Sequence, residues 1–292
     1  MASKIKSLIK KTFSFLPDKP YLSLLFRIKL KRKMNWDDPK TFNEKLQWLK
    51  LYNRNPEYSR MVDKYEGKIF AAEILGEECI IPTLGVWDSF DDIDFDSLPD
   101  RFVLKCTHDS GSVIICRDKS KLDMKKTRKF FKKKLKDSLY YDGREWPYKN
   151  VKPRIIAEKL MEEAPGSETA LVDYKFFCFN GKADCVMLCL DRETGDTKFY
   201  FFDKQWNLKR YNIRGKNAPE GFTVKKPELM DEMFQLAEKI STGIPFVRVD
   251  FYCIQNQVYF GEMTFFPDRG FDANLLKETD EHFGELLKLE RK

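Results

Sequence analysis

The chain has 292 residues, of which 42% are hydrophobic, 14% aromatic and 34% charged, and it carries a formal net charge of +7. This composition fits a folded protein of one large or two modest domains and excludes an intrinsically disordered chain. No apolar stretch approaches the roughly 20 residues that cross a bilayer, and with only two histidines, His108 and His282, a His-rich zinc site or His-based metalloprotease is disfavoured.

The first 33 residues, MASKIKSLIKKTFSFLPDKPYLSLLFRIKLKRK, are strongly basic, and lysines interrupt every would-be apolar core, so they do not read as a signal peptide. Ile5, Leu8, Ile9 and Phe13 fall at helical spacing between lysines. That pattern fits a surface helix drawn to anionic lipid through residues 1–35, and equally a solvated basic helix packed on its own domain. Zinc-finger, basic-zipper and RNA-recognition signatures are missing, so nucleic acid is not an expected partner. Seven cysteines without a CxxC pair point to reduced thiols in a cytoplasm.

Residues 1–58 read as a basic, mainly helical segment ending in TFNEKLQWLKLYN, where Thr41 and Glu44 are spaced for a capping box. A helix near SRMVDKYEGKIFAAEIL follows, then a strand in ECIIPTLGVW, an acidic loop DSFDDIDFDSLPD and the strand RFVLKC. After VIICR comes the lysine-rich helix KLDMKKTRKFFKKKLKDSLYY, a break at DGREWPYKNVKP and the strand RIIAEKLM. The remainder is mainly antiparallel: ALVDYKFFCF, an Asn180-Gly181 turn, ADCVMLCLDR and TKFYFFD, then a helix in PELMDEMFQLAEKIS and a last hairpin. The expected fold is α+β in two lobes, divided as 59–157 and 158–292.

The last hairpin, VRVDFYCIQNQVYFGEMTF, carries one acid in each strand. A three-residue loop Gln255-Asn256-Gln257 would pair Ile254 with Val258, Asp250 with Glu262 and Arg248 with Thr264. A loop one residue shorter or longer would set Asp250 opposite Gly261 or Met263. Like charges directly opposed across strands destabilise by roughly 0.2–1 kcal/mol, and a divalent cation would relieve that repulsion. Three other segments bear on the site. In VLKCTHDSGSVIIC, Ser110, Gly111 and Ser112 form a small loop whose amides could approach phosphate, with Lys105 on the strand entering it; an ordinary serine-rich surface hairpin reads the same way. In IIAEKLMEE a strand runs into Glu158 and Lys159, as a nucleotide hinge or as an edge strand with solvated charges. In DYKFFCF, Asp173 and Lys175 share one face, where the lysine could meet phosphate or simply be exposed. The Asp-x-Asp spacings of DDIDFD, residues 91–96, fit the metal site of a nucleotide-sugar glycosyltransferase or a solvated loop.

Taken in order, these segments resemble the ATP-grasp fold. RVDFY…VYFGEMTFFPDRG is similar to the metal-binding hairpin of D-alanine–D-alanine ligases and their relatives, an Arg-x-Asp strand followed by Glu-x-Asn-x-x-Pro-Gly. TFNEKLQWLK, DKYEGKIFAAEILGEECIIPTLGVWD, LPDRFVLKCTHDSGS, DYKFFCFNGK and FVRVDFY…YFGEMTFFP resemble the TupA-like ATP-grasp family over about residues 40–290. The resemblance implies ATP and Mg²⁺, with Asp250 and Glu262 as metal ligands and Lys105 and Lys175 on the nucleotide phosphates. It further implies Ser110, Gly111 and Ser112 as a phosphate-covering loop, Glu158, Lys159 and Leu160 as the adenine hinge, and Arg248 on the transferred phosphoryl group. Thr264 stands where the superfamily usually has Asn, and Asp268-Arg269 precede Gly270, so the third ligand and the closing loop depart from the pattern. The implied reaction joins a carboxylate to an amine through an acyl-phosphate. The implied setting is bacterial surface polysaccharide synthesis: a cytoplasmic enzyme with a sugar carboxylate as acceptor, lipid-linked in one reading, and an amino acid as the amine. A glycosyltransferase, an ATP-grasp kinase acting on a sugar hydroxyl, and a non-catalytic member remain as alternatives.

Overall fold

A computed structural model describes residues 15–163 and 171–290. In chain order the helices are α1 (Asp18–Leu30), α2 (Phe42–Tyr52), α3 (Glu57–Val62), α4 (Glu66–Leu75), α5 (Met124–Lys134), α6 (Tyr140–Gly143), α7 (Ile213–Lys216), α8 (Met230–Ile240) and α9 (Lys277–Leu286). The strands are β1 (Thr83–Trp87), β2 (Phe102–Cys106), β3 (Val113–Cys116), β4 (Ile155–Lys159), β5 (Asp173–Phe179), β6 (Lys182–Leu190), β7 (Lys198–Phe202), β8 (Leu208–Lys209), β9 (Phe246–Ile254) and β10 (Gln257–Thr264). They form two antiparallel sheets, ordered β1-β4-β2-β3 and β10-β9-β5-β6-β7-β8.

Strand alternation gives the small sheet a dry face and a face on the cleft, while the large sheet is covered on both faces. In the small sheet Phe102, Leu104 and Cys106 of β2 pack with Ile155, Ala157, Cys116 and Phe131 of α5. The intervening Val103 and Lys105 face a cleft. In the large sheet Phe176 of β5 meets Phe234 of α8. On the opposite face Phe177 and Phe179 stack against Phe283 of α9, and Phe42 of α2 closes on Phe179 and Phe246. Asp173 and Lys175 lie further along that same face of β5, where the helices give way to the cleft.

Several sequence expectations hold. Thr41 accepts from the Glu44 amide while the Glu44 carboxylate accepts from the Thr41 amide, a complete capping box on α2. Asn180 and Gly181 both have positive φ and close β5 onto β6. All seven cysteines are free thiols.

The lobes divide differently from the expected 59–157 and 158–292. The boundary falls inside β4, whose Ile155 and Ala157 are core residues of the small sheet. Residues 42–79 share one core with 174–287, because the apolar faces of α2 to α4 find their partners on the large sheet. The basic segment is likewise not a free arm where it is described. The α1 helix buries Tyr21, Leu22, Leu25 and Phe26 in a cluster with Phe271. Residues 1–14, which include Ile5, Leu8, Ile9 and Phe13, lie outside the described residues. Among the described residues no helix is long and apolar enough to cross a membrane.

Because the capping box anchors the start of α2, Thr41→Ala should lower stability by about 1 kcal/mol, read as an earlier urea midpoint with an unchanged slope.

Candidate active site

The two acids of the β9–β10 hairpin do lie opposite each other, by a route the sequence did not suggest. The loop has two residues rather than three: Gln255 and Asn256, with φ of 50° and 59°, form the turn and Ile254 pairs with Gln257. Left-handed backbone at both central positions matches the strand twist, as in a type I′ turn. That register alone would set Asp250 opposite Gly261. A bulge between Phe260 and Glu262 takes up the extra residue, so Glu262 pairs with Asp250 and Thr264 with Arg248. Glycine suits the bulge, since a Cβ at Gly261 would sit 3.0 Å from the Asp250 carbonyl oxygen.

Asp250 is buried and doubly engaged. Arg248 Nε donates to Oδ1 and Nη2 to Oδ2, both at 2.7 Å. Lys175, the strand partner of Asp250 on β5, also donates to Oδ2. Lys175 is therefore not the exposed lysine its sequence allowed; it is buried, 3.7 Å from Asp173, which also pairs with Arg192. Arg248 reaches Glu262 Oε1 at 3.2 Å and Thr264 Oγ1 at 3.0 Å. The Thr264 hydroxyl lies 3.3 Å from the same Glu262 oxygen. Burial pushes the Glu262 carboxyl up, but Lys64, Arg248, Lys175 and Lys105 together outweigh it and hold it at about 2. With its side chain 42% exposed, Glu262 remains open to solvent.

These oxygens suit a hard cation. Among the described residues no group of three or more His, Cys, Asp or Glu could hold a metal. Two carboxylates and a hydroxyl are an incomplete set by themselves. They match the habit of Mg²⁺, which takes one or two carboxylates and completes its shell with phosphate oxygens and water. Asp250, Glu262 and Thr264 fit that ion.

The facing wall comes from the small sheet. Lys105 donates to Glu158 Oε2 at 2.5 Å, and Lys68 of α4 to Oε1 at 2.9 Å. Burial raises the Glu158 carboxyl, yet Lys105 and Lys68 outweigh it and hold it at about 2. Its strand is internal, between β1 and β2, so Glu158 is not a solvated edge charge. The Lys159 amide donates to the Pro82 carbonyl, and Leu160 lines the cleft just beyond the strand. In the small loop, Ser110 and Gly111 line the cleft, with Gly111 at φ 86° and open space around it. Ser112 is turned inward, its hydroxyl bonded to the Asp109 carboxylate.

Several cleft residues were missed, among them Arg192 and Lys64. The run read as a single helix near 59–75 breaks at Asp63, whose Oδ1 accepts from the amides of Tyr65 and Glu66 and starts α4. The break projects Lys64 into the cleft, where its ammonium bonds the Asp109 carbonyl. An Asp inside a helical run, three residues before a Glu, was the available signal. The acids at 91–96 lie elsewhere. Asp91 is bonded by Arg128 and Lys132 of α5 at 2.6 and 2.8 Å, and Asp94 caps the turn to Asp96.

The resulting cleft, of about 490 Å³, brings Lys64, Lys105, Lys175, Arg248, Asp250 and Glu262 together between the two sheets. Replacing Glu158 with Gln would leave Lys68 and Lys105 without their shared counter-charge and should cost about 3–5 kcal/mol. A carboxyl held below its unfolded value of about 4.3 stabilises the fold above that pH and loses the contribution as pH falls toward 2. Acid titration of stability should therefore be shallower in Glu158→Gln than in the parent, and parallel curves would refute the pairing.

The chain is similar to the D-alanine–D-alanine ligase of Bacillus anthracis in complex with ATP, at 16% identity and a TM-score of 0.45, covering 78% of this chain and 62% of that one. The corresponding ligase of Helicobacter pylori gives 16% identity and 0.41, over 85% and 69%. The ATP-grasp ligase PsnB, bound to a precursor variant, Mg and ADP, gives 9% and 0.41, over 84% and 65%. This chain thus spans under two thirds of the first ligase's length. No curated protein sequence matches it. The model of the TupA-like ATP-grasp family matches residues 44–288, from the capped helix α2 through the end of α9, and the chain belongs to that family.

Proposed function

We propose that this protein is an ATP-dependent carboxylate–amine ligase that uses Mg²⁺ and forms an amide through an acyl-phosphate. The observation that carries the reading is the pairing of Asp250 with Glu262 at one end of a cleft whose walls supply Lys64, Lys105, Lys175 and Arg248. Bound Mg²⁺ would screen the triphosphate and make the γ-phosphorus more electrophilic. Asp250, Glu262 and Thr264 would hold it. Lys64, Lys105 and Lys175 would neutralise phosphate oxygens, and the Ser110-Gly111 tip would cover them. Arg248, fixed by Asp250 and Glu262, would stand ready for charge that builds on the phosphoryl group in flight. A substrate carboxylate oxygen attacks the γ-phosphorus, the bond to the β,γ-bridging oxygen breaks, and ADP leaves. An amine nitrogen then attacks the acyl carbon, phosphate departs with the C–O electron pair, and the nitrogen loses its proton. No protein nucleophile is needed.

We place the reaction in bacterial surface polysaccharide synthesis, the setting that the resemblance implies. There the acceptor would be a sugar carboxylate, lipid-linked in our reading, and the amine an amino acid. Residues 1–35 would add peripheral contact with an anionic membrane. The engagement of Asp91 with α5 weighs against the glycosyltransferase alternative.

Thermal shift with a non-hydrolysable ATP analogue should rise only when Mg²⁺ is present, and the rise should shrink at least several-fold in Glu262→Gln. A shift with UDP-, GDP- or CMP-sugars in its place would overturn the reading. Screening carboxylates with amines should release ADP, and Arg248→Met should slow that release by about 10²-fold or more. ADP release with a sugar alcohol and no amine would make the enzyme a kinase instead.

A further inference from the structure

The function proposed above leaves a second concentration of charge unused. Between 117 and 136 the sequence holds eleven Lys and Arg against two Asp, and the helix α5 runs through it. Its buried side, Thr127 and Phe131, packs on the small sheet's dry face. Around the rest, Lys125, Lys126, Arg128, Lys129, Lys132, Lys133 and Lys136 are exposed. Some are neutralised locally: Lys126 by Asp123, and Arg128 and Lys132 by Asp91. Lys125, Lys129, Lys133 and Lys136 have no ion-pair partner among the described residues. Lys125, Lys129 and Lys133, four apart, share one face of α5, and Lys136 follows in the turn after it.

Lysines four apart on a helix repel, and a lysine in the first turn, as Lys125 is, opposes the helix dipole. Only Lys133, in the last turn, is favoured by the dipole. The position of the stripe is equally telling, because α5 covers the face of the small sheet opposite to Val103 and Lys105, which line the cleft. A large partner seated on α5 would leave the cleft open. Met124, at the start of the helix, is 42% exposed. An apolar side chain beside a lysine face suits the interface of a bilayer better than a purely ionic partner.

The segment that follows α5 also contacts the start of α1. After α5, Tyr140 donates to Asp18 at the start of α1, and Tyr21 donates to the Tyr141 carbonyl. Residues 1–14, with Lys4, Lys6, Lys10 and Lys11 and no acid, join the described structure three residues before Asp18.

We infer that the exposed lysine face of α5 is a docking surface for an anionic lipid bilayer, holding the protein with its cleft facing away from the lipid. This surface does not depend on the ligase reading, nor on a contact by residues 1–35. The test is sedimentation of the full chain with vesicles of phosphatidylcholine alone and with one-third phosphatidylglycerol. One variant carries Lys125→Gln, Lys129→Gln, Lys133→Gln and Lys136→Gln; a second carries Lys4→Gln, Lys6→Gln, Lys10→Gln and Lys11→Gln. Each lysine near an anionic surface strengthens binding about fivefold, so the α5 variant should lose on the order of 600-fold. The parent should bind only the anionic vesicles, and more weakly at high salt. The α5 variant should melt no lower than the parent and keep the Mg²⁺-ATP-analogue shift, which separates a failed surface from a failed nucleotide site. Parental binding by the α5 variant, with loss confined to the second variant, would overturn the inference. So would equal binding to neutral vesicles, or tighter binding to duplex DNA than to anionic vesicles.

Discussion

A buried carboxylate in a protein interior must have counter-charge, and the cleft is organised around that constraint at Asp250. Placed opposite Glu262, it would face a like charge at short range in a poorly solvated setting. Two cations answer it from different directions. Arg248 precedes it by two residues on the same strand, so it shares the same face, and Lys175 is its partner on the adjoining strand. Only a sheet with β9 between β10 and β5 puts the second acid on one side of Asp250 and the lysine on the other. The order of the large sheet is thus tied to the electrostatics of the site.

The small sheet repeats the device. Glu158 is buried between Lys68 and Lys105, and the pairing holds Lys105 on the cleft side of β2. Such networks are seldom net stabilisers, since desolvation offsets much of the attraction. What they supply is position. A lysine that would otherwise sample many rotamers is held by a fixed partner on each wall, ready for an anion that enters between them.

Much of the architecture was legible from the sequence because it rests on local chemistry. The Thr41–Glu44 capping box, the Asn180-Gly181 turn and the alternation in β2, β5 and β9 are set by residues a few positions apart, whose preferences tertiary packing did not override. The hairpin is more instructive. The turn was read one residue too long, and the bulge at Gly261 was not foreseen. The two differences cancel, because burial of Phe260 and Met263 on one face and the charges on the other fixes which residues must pair at the far end. Lys64 was missed because a helical period runs through Asp63, and only the carboxylate's capture of two amides breaks it.

By itself, then, the sequence determined the α+β class, most element positions and the resemblance that proved to mark the family, while the bulge at Gly261 decided that Asp250 pairs with Glu262. Those features follow from periodicity, turn chemistry and motifs that are contiguous in the chain. The tertiary structure decided the rest. It assigned α2 to α4 to the large sheet, buried Lys175 and Glu158 that could have been solvated, and turned Ser112 inward while leaving Ser110 and Gly111 at the cleft. The physical reason is the same in each case. Whether a charged or polar side chain is buried depends on partners tens of residues away, and no local pattern records which of them will arrive.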